Sequence, residues 1–227
     1  SLGFALALLL GIGAGELSRA HEGPPAPEEK PAVIVSKAMR QQIRLTSNRA
    51  LKWLAAQQRP DGSFPSISTG QPAITSLCAM AFMANGHLPG EGPYGTHLDR
   101  AIDYVVAQQQ STGLICHDPV AGYVQTNNSA HTAHYNHCIS GLMLTEVYGM
   151  TDTERGQKIK AVLDKALSYT LREQLKPKRH QNEVGGWRYA RKWTQSDSDL
   201  TVTSWHLIFL RSARNAGFNI PTERIDM

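Results

Sequence analysis

The chain has little cysteine, little charge and few aromatics, and it lacks the short motifs that mark most enzyme chemistries. Its three cysteines, Cys78, Cys116 and Cys138, are too few and too odd in number for a disulfide framework. Cys78 and Cys138 fall in stretches read as buried helices, where a free thiol behaves as a small apolar group. A Cys116–Cys138 bridge is the alternative. Charged residues are 19% of the 227 positions and the net charge is +4, too mild a balance to argue for nucleic acid, and no aromatic-plus-basic motif adds to it. The densest basic run, from Arg172 to Lys192, is read as a solvated loop, with a polyanion site as the alternative. A phosphate-cradling glycine loop, Gly-x-Ser-x-Gly, His-Glu-x-x-His, Cys-x-x-Cys and Gly-Cys-Gly-Glu-Gln are all absent, which sets those chemistries aside.

Long apolar runs are scarce too. Leu2 to Ile12 has the length of a signal-peptide core and is too short for a membrane span. Ser18-Arg19-Ala20 offers a small-x-small cleavage site. Residues 1–20 are therefore read as a truncated secretory signal cleaved near Ala20 and the protein as exported, periplasmic or extracellular. An uncleaved signal would be its only route to a membrane. The next stretch, His21 to Pro31, holds four prolines among acidic residues and cannot pack a core; residues 21–34 are read as a linker.

What is present is a repeat. Ala50 to Phe64 reads ALKWLAAQQRPDGSF, Ala101 to Ile115 reads AIDYVVAQQQSTGLI, and Ala166 to Gln174 reads ALSYTLREQ, followed after a longer loop by Gly185-Gly186-Trp187. Each copy sets an aromatic at one position (Trp53, Tyr104, Tyr169) and a glutamine at one offset (Gln58, Gln109, Gln174). Each then turns on glycine into an apolar residue (Phe64, Leu114, Trp187). Self-similarity at this spacing marks a repeat architecture. A helix apolar on nearly all sides follows each copy: Gln71 to Asn85, Asn136 to Gly149, and Leu200 to Gly217. The unit is a helical hairpin of one amphipathic and one buried helix, and residues 35–227 form an all-α repeat domain of about three hairpins. Asn136 is read as a helix cap, Thr151-Asp152-Thr153-Glu154 as a capping box, and Cys116 to His134 as a long loop.

A Gln-ended helix, an Asp61-Gly62-Ser63-Phe64 or Gly185-Gly186-Trp187 turn and a small-residue-rich buried helix together resemble a known repeat. It is that of squalene and hopene cyclases and of protein prenyltransferase β subunits. Gly185-Gly186-Trp187 followed by Thr201-Val202-Thr203-Ser204-Trp205 is similar to the late cyclase repeats. The resemblance runs from about Lys37 to Met227 and is nearest to exported bacterial members of unsettled activity. It implies an α/α toroid whose buried helices line a central cavity. Thr222 to Met227 matches the start of a further copy (compare Leu98 to Asp103), so the chain is expected to form a truncated half-ring.

Three sets of residues could carry chemistry. Hopene-type cyclases protonate an alkene with an acid from an Asp-x-Asp-Asp-Thr motif. Asp197-Ser198-Asp199-Leu200-Thr201 resembles it but has Leu200 where the last Asp stands. Burial can hold such an acid protonated; as a plainer reading, Asp197 and Asp199 cap the helix that follows. The second set is His131, His134 and His137 with adjacent Cys138, a nitrogen-and-sulfur group suited to zinc. Prenyltransferases place a zinc-binding His shortly before Ser-Gly-Leu, as His134 stands before Ser140-Gly141-Leu142, although the family's Asp-x-Cys pair is missing. The alternative is that His137 and Tyr135 are polar groups satisfied by backbone. The third set, Phe82, Met80, Met83, Met143, Trp205 and Phe209, lies on buried helices. With His137 and Tyr135, the aromatics Phe82 and Trp205 are the expected cavity lining, unless they simply pack the hairpins together. Two functions follow: a cyclase-like or transferase-like enzyme acting on an isoprenoid, or a non-catalytic module binding a lipid, glycan or protein.

Overall fold

The computed structural model describes residues 35–117, 129–190 and 197–226; the signal and linker expectations lie outside them. The described chain is all-α, with no strand among its described residues beyond an isolated bridge between Gln109 and Ile115.

Helix α1 (Lys37–Gln57) opens on Ser36, whose hydroxyl accepts from Met39 N–H at 3.1 Å. Most of α1 is exposed, Trp53 included; Leu51 is its one fully buried residue. Pro60-Asp61-Gly62 then turns the chain, with Asp61 accepting from the Ser63 amide and hydroxyl. Helix α2 (Ala73–Ala84) ends at Asn85-Gly86. Helix α3 (Gly95–Ala107) follows after a 3-10 turn, Gly92–Tyr94.

Helix α4 (Ser129–Val147) begins before the expected Asn136. Ala130, Ala133, His134 and His137 all face inward, a helical spacing hidden in the sequence because half of it is polar. His131 and His134 thus lie within the helix, not in a loop ahead of it. Asn136 does cap a helix, but a different one: its carbonyl accepts from Ala73 N–H at 3.2 Å, at the start of α2, while its amide donates to Thr69 O. Helix α5 (Thr153–Gln174) is capped by Asp152, which accepts from Arg155 N–H at 2.8 Å, and not by Thr151. A carboxylate is the better partner for the positive end of a helix. Helix α6 (Leu200–Asn215) is capped by Asp199 and closes before Gly217.

Helix α4 packs between α2 and α6, and these three form one layer. Gly141 makes the α4–α6 approach possible: a Cβ there would lie 2.5 Å from the Phe209 ring. The amphipathic helices lie outside this layer, with α3 against α2 and α5 against α4. Helix α2 packs more closely on α3, which follows it, than on α1, which precedes it, because the link to α3 is the shorter one. Helix α4 is buried nearly all round, with Glu146 its exposed position; α2 and α6 keep open faces at Leu77 and Ile208.

The repeated glutamines stitch one unit to the next. Gln58 donates to Gly62 O in its own turn and to His97 O at 2.8 Å on α3. Gln109 donates to Gly113 O and to Val162 O at 2.7 Å on α5. Gln174 donates to Arg224 O at 2.8 Å. Glycine is required at the first two turns: Gly62 and Gly113 have φ of 90° and 95°, and a Cβ would meet Arg100 O or Lys165 O at 2.2 or 2.4 Å. The residue two beyond each turn glycine then gives its amide to a side chain on the next buried helix. Phe64 donates to Thr75, Ile115 to His137 and Trp187 to Thr203. Ile115, not Leu114, fills the slot of Phe64 and Trp187.

Candidate ligand pocket over a buried histidine cluster

The long turn after α5 ends in Gly185-Gly186-Trp187. The Trp187 amide is held by Thr203 and its carbonyl accepts from Asp199 N–H at 2.8 Å, so the loop is pinned to the start of α6. The indole is 1% exposed, donates to Thr170 O at 3.0 Å, and stacks on His206 with centroids 4.5 Å apart and planes 8° apart. Ala190 N–H donates to Ala130 O, closing the stretch onto α4.

Between this stretch, α5 and the Gln110–Leu114 turn lies a pocket of about 250 Å³. Leu114, Tyr169 and Trp187 provide its apolar and aromatic wall, and His134 reaches it from α4. Leu114, Tyr169, Cys116 and Ala133 form a small apolar cluster of their own. Four cations line the same pocket, Arg172, Lys176, Lys178 and Arg188, against one carboxylate, Glu173.

Three imidazoles are buried beside it. His134 Nε2 is 3.2 Å from the Tyr169 hydroxyl and His134 Nδ1 is 3.2 Å from His206 Nε2. His137 Nδ1 accepts from Ile115 N–H at 3.1 Å, which leaves its Nε2 proton for Thr170 Oγ1 at 2.8 Å. Nδ1 of His206 has no hydrogen-bond partner among the described residues. A bare acceptor costs less there than a bare N–H, which favours His206 donating from Nε2 to His134 and His134 donating to Tyr169. The Tyr169 O–H is then free to turn into the pocket. Burial pushes His134 and His137 down to about 3. The Lys176 and Lys178 charges add to the shift at His134. Burial also depresses His206 well below its usual value, and it raises the Tyr169 phenol. All three rings are neutral at pH 7.

No protein-family model matches the chain, and no curated protein matches it in sequence.

The residues singled out from the sequence are scattered relative to this pocket. Asp199 caps α6, accepting from Val202 N–H at 2.9 Å, and its other oxygen lies 3.9 Å from Arg188. Asp197 lies 3.4 Å from Arg188 Nε, and its main-chain oxygen accepts from Lys178. Of the zinc set, His134 meets Tyr169 and His206, and His137 has both nitrogens engaged. Cys138 is fully buried, with its thiol pushed up by burial. No group of three His, Cys, Asp or Glu able to hold a metal ion occurs among the described residues. Cys116 and Cys138 form no disulfide bridge. Phe82 packs against Phe64 and Tyr94 in the core, Tyr135 faces Tyr189, and Trp205 is half-buried on α6; none of them lines the pocket, nor does His137.

Of the residues that do line it, only His134 belongs to the candidate site sets. Tyr169 and Trp187 are repeat positions and were legible as such. The four cations belong to the basic run from Arg172 to Lys192, for which a solvated loop and a polyanion site are the two readings, and His206 sits in an apolar helix with no neighbour in sequence to flag it.

Proposed function

We propose that this chain is a ligand-binding module on the helical-hairpin plan of the terpenoid cyclases and prenyltransferases. It would hold a small molecule with an apolar body, isoprenoid in kind, without transforming it. Export through the Leu2–Ile12 segment and closure of the hairpins into a toroid belong to the same proposal. The observation that carries the reading is the pocket of about 250 Å³ with its Leu114, Tyr169 and Trp187 wall. Concave sites with a largely apolar wall and a few convergent polar groups are the usual small-molecule sites. Binding is favoured over acid catalysis because Asp199, the nearest match to the cyclase acid, is engaged as a cap and beside Arg188. A cyclase acid must be protonated and face its substrate.

The test separates binding from turnover. The protein is incubated with farnesol, desalted and extracted. The expected result is retained, chemically unchanged farnesol, with the same amount held by Asp199→Ser, a substitution that keeps a good helix cap and removes the acid. Conversion to a cyclised product that Asp199→Ser abolishes would overturn the binding reading in favour of the enzyme.

A further inference from the structure

We infer that the pocket recognises an oxyanion: the bound molecule carries a phosphate-, sulfate- or carboxylate-type head group that seats among Arg172, Lys176, Lys178 and Arg188. The inference rests on the pocket being a binding site and adds the charge of what it binds.

The cations reach the pocket from different parts of the fold. Arg172 comes from the last turn of α5 and Lys176 from just beyond its end, and both line the pocket. Lys178 follows Pro177, and Arg188 comes from the stretch that begins at Trp187. Among the described residues, none of the four has its donors fully used by the contacts it makes. Arg172 lies over the Tyr169 ring, 5.3 Å from its centroid, and donates one Nη to Thr112 O, leaving most of its five N–H groups. Lys178 gives one proton to Asp197 O at 3.0 Å. Lys176 pairs with Glu173, the one carboxylate on the lining. Arg188 is 3.4 and 3.9 Å from Asp197 and Asp199, which do not line the pocket, and its Nε has no hydrogen-bond acceptor among the described residues. That is looser than the paired short bonds of a well-made guanidinium–carboxylate contact. Charges of one sign converging on a partly desolvated concavity repel one another, and a bound oxyanion relieves that repulsion. Tyr169 adds a neutral donor at the same place. The apolar wall is contiguous with these donors, which fits a head group joined to an apolar body.

The experiment measures binding of decyl phosphate, decanol and inorganic phosphate to the full chain by calorimetry. The variants are Lys176→Gln/Lys178→Gln and Lys160→Gln; Lys160 also sits on α5 but pairs with Asp164 away from the pocket. Decyl phosphate should bind more tightly than decanol and weaken with added salt. The double variant should lose about tenfold or more, the scale of one or two charge-assisted hydrogen bonds, while Lys160→Gln matches wild type. Inorganic phosphate binding with the same dependence on the two lysines would support a free oxyanion as ligand. Binding confined to decyl phosphate would support an amphiphile head group. Decanol binding equal to decyl phosphate, with no loss in the double variant, would overturn the anion inference and leave the binding reading standing. No binding by any of the three would overturn both.

Discussion

Acidification from pH 7 to pH 5 is expected to remove a large part of the fold's stability. His134, His137 and His206 are buried and neutral, with His134 and His137 pushed down to about 3 and His206 lowered in the same direction. In the unfolded chain each returns to about 6.5. Below that pH the unfolded state binds protons that the folded state refuses, so stability is full above about 6.5 and falls as pH falls toward the folded value. His134 and His137 each cost about 2 kcal/mol by pH 5, and His206 adds to the loss in the same direction, against a typical total of about 5–15 kcal/mol. The groups around the rings do not reverse this. Lys176 and Lys178 oppose charging of His134, the imidazoles oppose charging of one another, and Trp187, Tyr169 and Thr170 are neutral. Urea midpoints followed by helical circular dichroism between pH 7.5 and 4.5 measure the slope. His206→Phe, which preserves a ring against Trp187, should make it shallower. A midpoint flat with pH would mean the imidazoles are not buried as described.

The largest single-residue effect is expected at Trp187. Truncation to alanine deletes a fully buried indole, its bond to Thr170 O and the plate stacked on His206. Losses of this kind cost about 3–5 kcal/mol, which for a domain of this size lowers Tm by about 10 °C. Trp187→Phe keeps a flat ring over His206 but leaves the Thr170 carbonyl without its donor, at a cost of about 1–2 kcal/mol. Ligand binding should follow the same order, abolished in the alanine variant and retained in the phenylalanine one. Equal thermal shifts for the two variants would show that the indole neither closes the core nor walls the pocket.

How far the fold could be read depended on the kind of signal. The Gln-turn-Gly motif was visible because its job is local and repeated: Gln58 and Gln109 each bridge their own turn and the following amphipathic helix, and Gln174 reaches Arg224 O in the next segment. The start of α4 was hidden because its inward face carries His134, Asn136 and His137, where an apolar stripe would have marked it. The same polarity drew attention to the histidines as metal ligands. The repeat offers a plainer account of His137, which occupies the place of Thr75 and Thr203 and receives the backbone amide they receive. Asn136 was read as a local cap, yet its partners are 63 and 67 residues away. The pocket was least legible of all. It is assembled from α4, α5 and two loops, and no periodicity in one segment records where another segment's lysines will fall.

Native mass spectrometry of the purified full chain, followed by denaturation of the same sample, tests the central claim most directly. A stoichiometric adduct that is lost on denaturation and identified as an organic molecule with an apolar body is the result expected. A bare polypeptide mass, unchanged after saturation with decyl phosphate and farnesol, would contradict a ligand-binding function for this fold.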